Sequence, residues 1–193
     1  MKIFFKRICA FLIDCVILYL AITLIGSFVP VSSNLNNLNN QTIELMNKYL
    51  NAEVSEDKFI EETNNLNYEI SKATYLNSIV GIVIYILYFI VYQSYNNGQT
   101  LGKKWMKIQV LKQDDSKVDV NSLLFRALIP YGIFVNILCL ILLISLNKST
   151  YMPLSVWLNN IHLIVIGVTI IMMSVKGRGL HDVLAKTKVK ELS

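Results

Sequence analysis

Four long apolar segments limit this chain to folds that suit a membrane. They cover residues 8–29, 75–95, 127–146 and 154–175. Each is close to the roughly 20 residues that an α-helix needs to cross about 30 Å of hydrocarbon. A helix satisfies its own backbone N–H and C=O groups there, whereas an open strand or a loop does not. We therefore predict an all-α, polytopic membrane protein, built as a four-transmembrane-helix bundle.

The composition agrees with this class. Only 16% of the 193 residues are charged and 54% are hydrophobic, whereas a soluble domain is about a quarter charged. A cleaved signal peptide is the alternative for the first segment, because Lys2, Lys6 and Arg7 form a basic start. That segment is longer than the usual apolar part of a signal peptide and three more follow, so we favour a membrane span.

Lysine and arginine are unevenly divided between the two ends of the predicted bundle. Most lie before the first span, between the second and third spans, or after the fourth, whereas the other side holds Lys48, Lys58, Lys72 and Lys148. Because basic residues accumulate in cytoplasmic loops, we predict that both termini are cytoplasmic. The net charge of +5 then reflects this bias and attraction to the lipid bilayer, and we expect no nucleic-acid partner.

Two connecting segments are long enough to form structure of their own. Residues 30–74 form an acidic extracytoplasmic insert, in which a polar linker over 32–40 precedes apolar residues at helical spacing from Thr42. This pattern predicts one or two amphipathic helices. They form either a solvated cap or an acidic vestibule over 42–72, which concentrates cations or binds a cationic partner. Residues 96–124 alternate apolar and polar side chains around a turn, which predicts a small cytoplasmic β-hairpin. The cytoplasmic tail, 176–193, offers a third strand.

Asp14 lies within the first apolar segment, where a charged side chain costs at least about 2.5 kcal/mol. It follows Arg7 by seven residues, so both lie on one helix face about two turns apart. Asp14 is either a structural hydrogen-bond acceptor or a site for a proton or monovalent cation on a transport path. We expect it to face the bundle interior beside Arg126 or a tyrosine of the second span, Tyr88 or Tyr92.

No motif indicates catalysis or a cofactor. The segment 98–104 lacks one spacer residue and the Ser or Thr of a phosphate-binding loop. His162 has no second ligand at metal-binding spacing. We expect no metal, no cofactor and no enzymatic activity.

Three motifs together resemble those of the RDD family of bacterial multi-pass membrane proteins. They are Arg7-x-x-Ala10-x-x-x-Asp14, the segment 98–110 with its glycines and lysines, and the segment 177–189. The family is named for one arginine and two aspartates, which match Arg7, Asp14 and Asp182 here. The resemblance implies a single RDD-like domain over 1–193 in a bacterial cell membrane. It also implies a role in transport, since some members are linked to sodium/proton antiport.

Two functions remain open. In the first, the protein transports a cation or small solute, Asp14 binds the coupling ion and Arg7 biases the pKa of Asp14. The candidate binding or coupling residues are Arg7, Asp14, Asp182, Arg126, Tyr88 and Tyr92. In the second, a non-transporting accessory, sensor or interaction protein binds an extracytoplasmic partner through its insert. Because transporters often use paired repeats, four spans also predict a homo-oligomer.

Overall fold

The structure is a computed structural model that describes residues 2–192. Helices and two strands alternate along the chain. The helices are α1 (Lys2–Gly26), α2 (Leu35–Leu50), α3 (Glu56–Ala73), α4 (Tyr75–Ile86), α5 (Gln93–Tyr95), α6 (Leu101–Trp105), α7 (Val120–Leu128), α8 (Ile133–Ser145), α9 (Lys148–Lys176) and α10 (Leu180–Leu184). A π-helix, Leu87–Tyr92, joins α4 to α5, and the strands are β1 (Ile108–Lys112) and β2 (Thr187–Glu191).

Three helical stretches are long and apolar enough to cross a membrane. They are α1, Tyr75–Tyr95 (α4, the π-helix and α5) and α9. The bent pair α7 and α8 makes a fourth if it is counted as one span. The prediction of a mostly helical chain with membrane-spanning helices is confirmed at this level, and their arrangement as one four-helix bundle stays a prediction.

The third apolar segment is not the single helix that a continuous run predicts. α7 and α8 meet at 68°, and the break between them contains Pro130, which has no backbone N–H to donate. Gly132 follows with φ +63°. His162 of α9 lies 2.7 Å from the carbonyl oxygen of Ile129, to which Nε2 can only donate. This contact satisfies a carbonyl group at the break, as a broken span requires.

The insert forms two helices, α2 and α3, which pack against each other. The predicted polar linker over 32–40 is wrong in its second half, because α2 begins at Leu35. Leu38 and Leu45, seven residues apart, are both buried on one face of α2. This spacing makes the asparagine-rich start helical. Tyr68 of α3 packs against Tyr151 of α9, with ring centroids 5.6 Å apart.

The predicted hairpin within 96–124 is wrong, although a small sheet is present. β1 pairs antiparallel with β2 of the tail over five residues, with Val110 opposite Val189. The local partner contributes only one bridge, between Leu111 and Lys117. The reason is that Val120 begins α7, whose N-terminus is capped by Asp119 accepting from the Ser122 N–H at 2.7 Å.

An apolar core joins the spans to the sheet. Leu18, Phe89, Val110 and Ile133 are among its buried members. The rings of Phe89 and Tyr131 stack with centroids 3.4 Å apart, which packs the π-helix against the break in the third span. The sheet is therefore fixed to the membrane-spanning part of the fold.

Candidate functional site

Asp14 is buried, with 1% of its surface exposed, and three donors surround it. Tyr88 donates to Oδ1 at 2.6 Å and the backbone N–H of Gly102 donates to the same oxygen at 2.8 Å. The hydroxyl of Thr100 donates to Oδ2 at 2.6 Å. Hydrogen bonds to a charged acceptor are the stronger kind. Asp14 therefore ties α1 to the π-helix and to the start of α6.

A glycine makes this close approach possible. A Cβ on Gly102 would lie 2.2 Å from the carbonyl oxygen of Ala10 and 2.8 Å from Oδ1 of Asp14. Thr100 caps the helix by accepting from the backbone N–H of Lys103. The motif 98–104 thus folds as a turn and a short helix that fits against α1.

Asp182 is the second buried carboxylate and forms a separate group of contacts. It pairs with both Arg7 and Arg126, and it accepts from the backbone N–H of Gly179 at 2.8 Å. Burial alone would raise the pKa of Asp182, but the charges of Arg126 and Arg7 hold it well below its usual range. Asp182 is thus ionised and connects α1, α7 and α10.

His181 is a neutral hydrogen-bonding group at this site. Burial, together with the nearby charge of Arg126, lowers the pKa of His181 to about 3. Its Nε2 lies 3.1 Å from a guanidinium nitrogen of Arg7, which can only donate, so the ring proton resides on Nδ1. Nδ1 is buried and has no partner within residues 2–192.

Lys103 is a buried cation without a close carboxylate. It is 7% exposed, and its Nζ donates to the side-chain oxygen of Gln93 at 3.2 Å. No described carboxylate lies within 4.0 Å of that Nζ. Burial and the charge of Arg126 lower the pKa of Lys103 to about 7, against the attraction of Asp14. Lys103 can therefore gain or lose a proton near neutral pH.

These groups surround one cavity of about 310 Å³, which we call the sheet-end cavity. Its lining joins α1, α9, α10 and the break between α7 and α8. The charged or hydrogen-bonding part of the lining includes Arg7, Asp14, Lys103, Arg126, Thr169 and His181. Most of the remaining lining is apolar, so the charges face a space with hydrocarbon walls.

A second cavity of about 580 Å³, the insert-end cavity, has a different chemistry. Its described lining carries no charged side chain and is rich in amides and hydroxyls, among them Asn67, Ser71, Asn77, Asn136, Ser155 and Asn159. Oδ1 of Asn77 is buried there without a described partner. This cavity suits polar, uncharged contacts.

The structure brings most of the predicted residues together, but in two groups. Asp14 meets Tyr88, while Arg7, Arg126 and Asp182 form the second group. The expectation that a tyrosine of the second span or Arg126 lies beside Asp14 is met by Tyr88. Arg7 and Arg126 instead pair with Asp182, the carboxylate of the folded-back tail. Tyr92 does not donate to Asp14 and instead stacks on Tyr88 at 5.5 Å.

Sequence reasoning missed Thr100, Lys103 and His181. All three lie inside the two motifs 98–110 and 177–189, so the signal was present in the chain. Neither the motif 98–110 nor the position of His181 in the sequence shows that these side chains become buried where the tail returns to α1.

The apolar helices and the buried charged groups define a multi-span membrane protein whose C-terminal segment, α10 and β2, folds back onto its spans. A family model described as RDD family matches residues 3–186, nearly the whole chain. The chain belongs to the RDD family. No match was found among curated proteins or among solved structures.

Proposed function

We propose that this RDD family protein transports a cation or small solute across a bacterial cell membrane. The observation that supports transport most strongly is the sheet-end cavity. Ionisable groups are expensive between membrane-spanning helices and mark ion or proton paths there. Lys103, Asp14 and Arg126 all line this cavity, between helices that are apolar enough to span.

The two cavities give the proposal a path. The apolar core lies between the two cavities. Its neighbours Tyr131 and Val189 line the sheet-end cavity, and its neighbours Ile82 and Tyr85 line the insert-end cavity. In the proposed mechanism, the core closes the route between them. The π-helix adjoins this core, and such wide turns are frequent at functional sites. Rearrangement of the core would expose each cavity in turn.

The charged groups have different roles in this proposal. Both carboxylates already accept hydrogen bonds, so Asp14 holds α6 in place and Asp182 holds the tail. Lys103 has one described side-chain hydrogen-bond partner, Gln93, and a pKa of about 7. Both properties suit a group that exchanges a proton in each transport cycle. This arrangement favours a proton-coupled solute over a bare cation bound at Asp14.

Orientation and assembly belong to the same proposal. We infer that the sheet end is cytoplasmic, since the basic segments lie there, and that the insert is extracytoplasmic.

Four spans are few for an alternating-access transporter, so we propose a homo-oligomer. Mass determination in nanodiscs tests this, and a monomer as the sole species would contradict it.

The test of transport is dissipation of a pH gradient in inverted membrane vesicles. Sodium, potassium and small anionic solutes are added separately to vesicles with wild type, Asp14→Asn or no protein, at matched expression. Collapse of the gradient by one of these solutes with wild type, but not in vesicles without the protein, supports transport. Loss of that collapse in a folded Asp14→Asn variant would assign the coupling role to Asp14. Silence of the wild type across pH values and solutes would contradict transport.

A non-transporting accessory role is the second candidate, and the insert favours it. Ile43, Leu50 and Ile60 are exposed by 61%, 73% and 50% on α2 and α3, next to the acidic side chains of the insert. Such a surface suits a partner with a cationic rim around an apolar centre. Deletion of 42–72 discriminates the two roles. Loss of the cellular phenotype on deletion, with Asp14→Asn silent, would favour the accessory role.

A further inference from the structure

The sheet-end cavity holds more hydrogen-bond donors than the described residues use. Nζ of Lys103 carries three N–H groups and has Gln93 as its described partner. Nδ1 of His181 and Oγ1 of Thr169 are buried with no partner in residues 2–192. All three side chains line the cavity, and their exposed fractions are 7%, 5% and 3%. An unmade hydrogen bond at such a buried group costs about 1–3 kcal/mol.

Two of these side chains meet at Gly179. A Cβ on Gly179 would lie 2.8 Å from Cε1 of His181 and 2.9 Å from the Cγ2 methyl of Thr169. The absence of a side chain at Gly179 therefore lets α10 and α9 approach closely, with His181 and Thr169 side by side in the lining of the cavity.

The charges favour an anionic ligand. The two carboxylates at the cluster, Asp14 and Asp182, are already satisfied by donors from the protein. What the cavity still offers is positive charge and N–H or O–H groups. A cation would find the Thr169 hydroxyl but no unpaired carboxylate among these side chains, whereas a phosphate or carboxylate oxygen would find several donors.

The remaining walls are apolar and reach the surface. Phe11 and Leu12 of α1 and Ile170 of α9 line the cavity and are exposed by 39%, 56% and 44%. These side chains lie on spanning helices, so the gap between α1 and α9 opens toward lipid. The volume of about 310 Å³ lies at the lower end of small-molecule sites, which usually measure about 300–1,000 Å³.

We propose that the sheet-end cavity binds an anionic amphiphile, a phosphate or carboxylate group on an apolar chain, which enters between α1 and α9. The anionic group contacts Lys103, His181 and Thr169, and the chain lies against Leu12, Ile170 and their neighbours. This inference rests on the proposed function, because it names the solute class. A membrane lipid and a free single-chain amphiphile share this chemistry, and the test separates them.

Native mass spectrometry of the purified full-length protein measures the binding. The probes are dodecyl phosphate, inorganic phosphate, phosphatidylglycerol and phosphatidylcholine of matched chains. We expect dodecyl phosphate to bind about tenfold or more tightly than inorganic phosphate or phosphatidylcholine. Phosphatidylglycerol binding as tightly identifies a lipid source, and its failure identifies a free amphiphile. Equal binding of phosphatidylcholine would overturn the anionic group, and equal binding of inorganic phosphate would overturn the apolar chain.

Two tryptophan variants of α9 locate the site. Ile170→Trp fills the gap from a lining position, whereas Val168→Trp adds the same bulk at a position that is 43% exposed and outside the described lining. We expect Ile170→Trp to weaken dodecyl phosphate binding about tenfold and Val168→Trp to change it less than about twofold. Equal effects would overturn the assignment of the cavity.

A role for the unpartnered donors is tested by Thr169→Val, which removes one hydroxyl at nearly constant volume. We expect weaker binding of dodecyl phosphate, and unchanged binding would overturn the assigned contact. Binding is measured without a gradient, so the two proposals fail separately. Binding with no solute flux in vesicles would contradict transport alone, and flux with no binding would contradict the amphiphile alone.

Discussion

Asp14 and Asp182 are buried acids whose hydrogen bonds join distant parts of the chain. Asp14 joins α1 to residues 88–102, and Asp182 joins α1 to α7 and the tail. Each carboxylate has donors for both of its oxygens. Neutralising either one would leave buried donors unpaired, which costs more than the loss of an ordinary exposed hydrogen bond. A substitution of Asp14 or Asp182 is therefore expected to lower the stability of the protein, in addition to any effect on transport coupling.

The contact between α6 and α1 depends on the absence of a side chain at Gly102. We expect Gly102→Ala to lower the free energy of unfolding by about 1–3 kcal/mol, because its Cβ would collide with the backbone of Ala10. The matched control is Gly167→Ala, where a Cβ meets nothing within 4 Å. Chemical unfolding in detergent micelles measures both. Equal stability of the two variants would contradict this packing.

Lys103 predicts a specific dependence of stability on pH. Its folded pKa of about 7 lies below the ordinary value of 10.5. Between these values the unfolded chain binds a proton that the folded chain has released. The free energy of unfolding should therefore rise with pH across this window, by on the order of a few kcal/mol. Below about pH 7 the cost of burying the charged form is present in full.

The control for this prediction is the neighbouring lysine. We expect Lys103→Met to remove the rise between about pH 7 and pH 10 and to raise stability at neutral pH. Lys104 is exposed and donates to Asn96. The Lys104→Met variant should therefore keep the wild-type slope of unfolding free energy against pH. A wild-type slope in Lys103→Met would show that this lysine titrates as in water.

At the scale of elements, the period and length of the apolar patterns predict most of the long helices. The long apolar segments predict α1, the Tyr75–Tyr95 stretch and α9, and the apolar spacing of the insert predicts α2 and α3. A proline within an apolar segment indicates that the helix is disturbed. The angle of the break at Pro130 cannot be predicted in this way, because it depends on Gly132 and on packing by His162. The tail is predicted to offer a strand, and it does so as β2. Its pairing with β1 in place of the local hairpin joins residues far apart in the chain, and local alternation does not decide between the two partners.

The same limit applies to the site. The meeting of Asp14 with Tyr88 could be predicted, because the first two spans run in opposite directions and place these two residues at similar depths. The pairing of Arg7 with Asp182 depends on a tail that folds back onto α1. Lys103 and His181 lie in recognisable motifs, but their burial arises from that same folding back. Tertiary contacts decide these roles, and one-dimensional spacing does not contain them.

Cysteine cross-linking tests the sheet directly. In a background with the three native cysteines replaced by alanine, we expect Gln109→Cys with Lys190→Cys to form a disulfide under mild oxidation. These residues are partners in the antiparallel register. The pair Gln109→Cys with Asp119→Cys follows the local hairpin instead and should stay reduced. Efficient cross-linking of the second pair alone would restore the hairpin and contradict the sheet.

At the scale of the whole molecule, two cavities of different chemistry adjoin one apolar core. The described lining of the insert-end cavity carries no charged side chain, whereas that of the sheet-end cavity carries Arg7, Lys103, Arg126 and Asp14. The start of α1 and the segment 177–191 close the sheet end, since Arg7 donates to the carbonyl of Gly177 and β2 pairs with β1. Proton exchange at Lys103 would change the charge of one cavity only. This asymmetry is the physical basis of the proposed coupling.

Solute-driven proton flux in proteoliposomes tests that coupling most directly. Purified wild type, Lys103→Gln and the exposed control Lys104→Gln are reconstituted with a pH-sensitive dye inside, and gradients of candidate solutes are imposed. The account predicts flux with wild type and with Lys104→Gln, and its loss by about tenfold or more with Lys103→Gln. Undiminished flux in Lys103→Gln, or no flux with wild type for any solute, would contradict it.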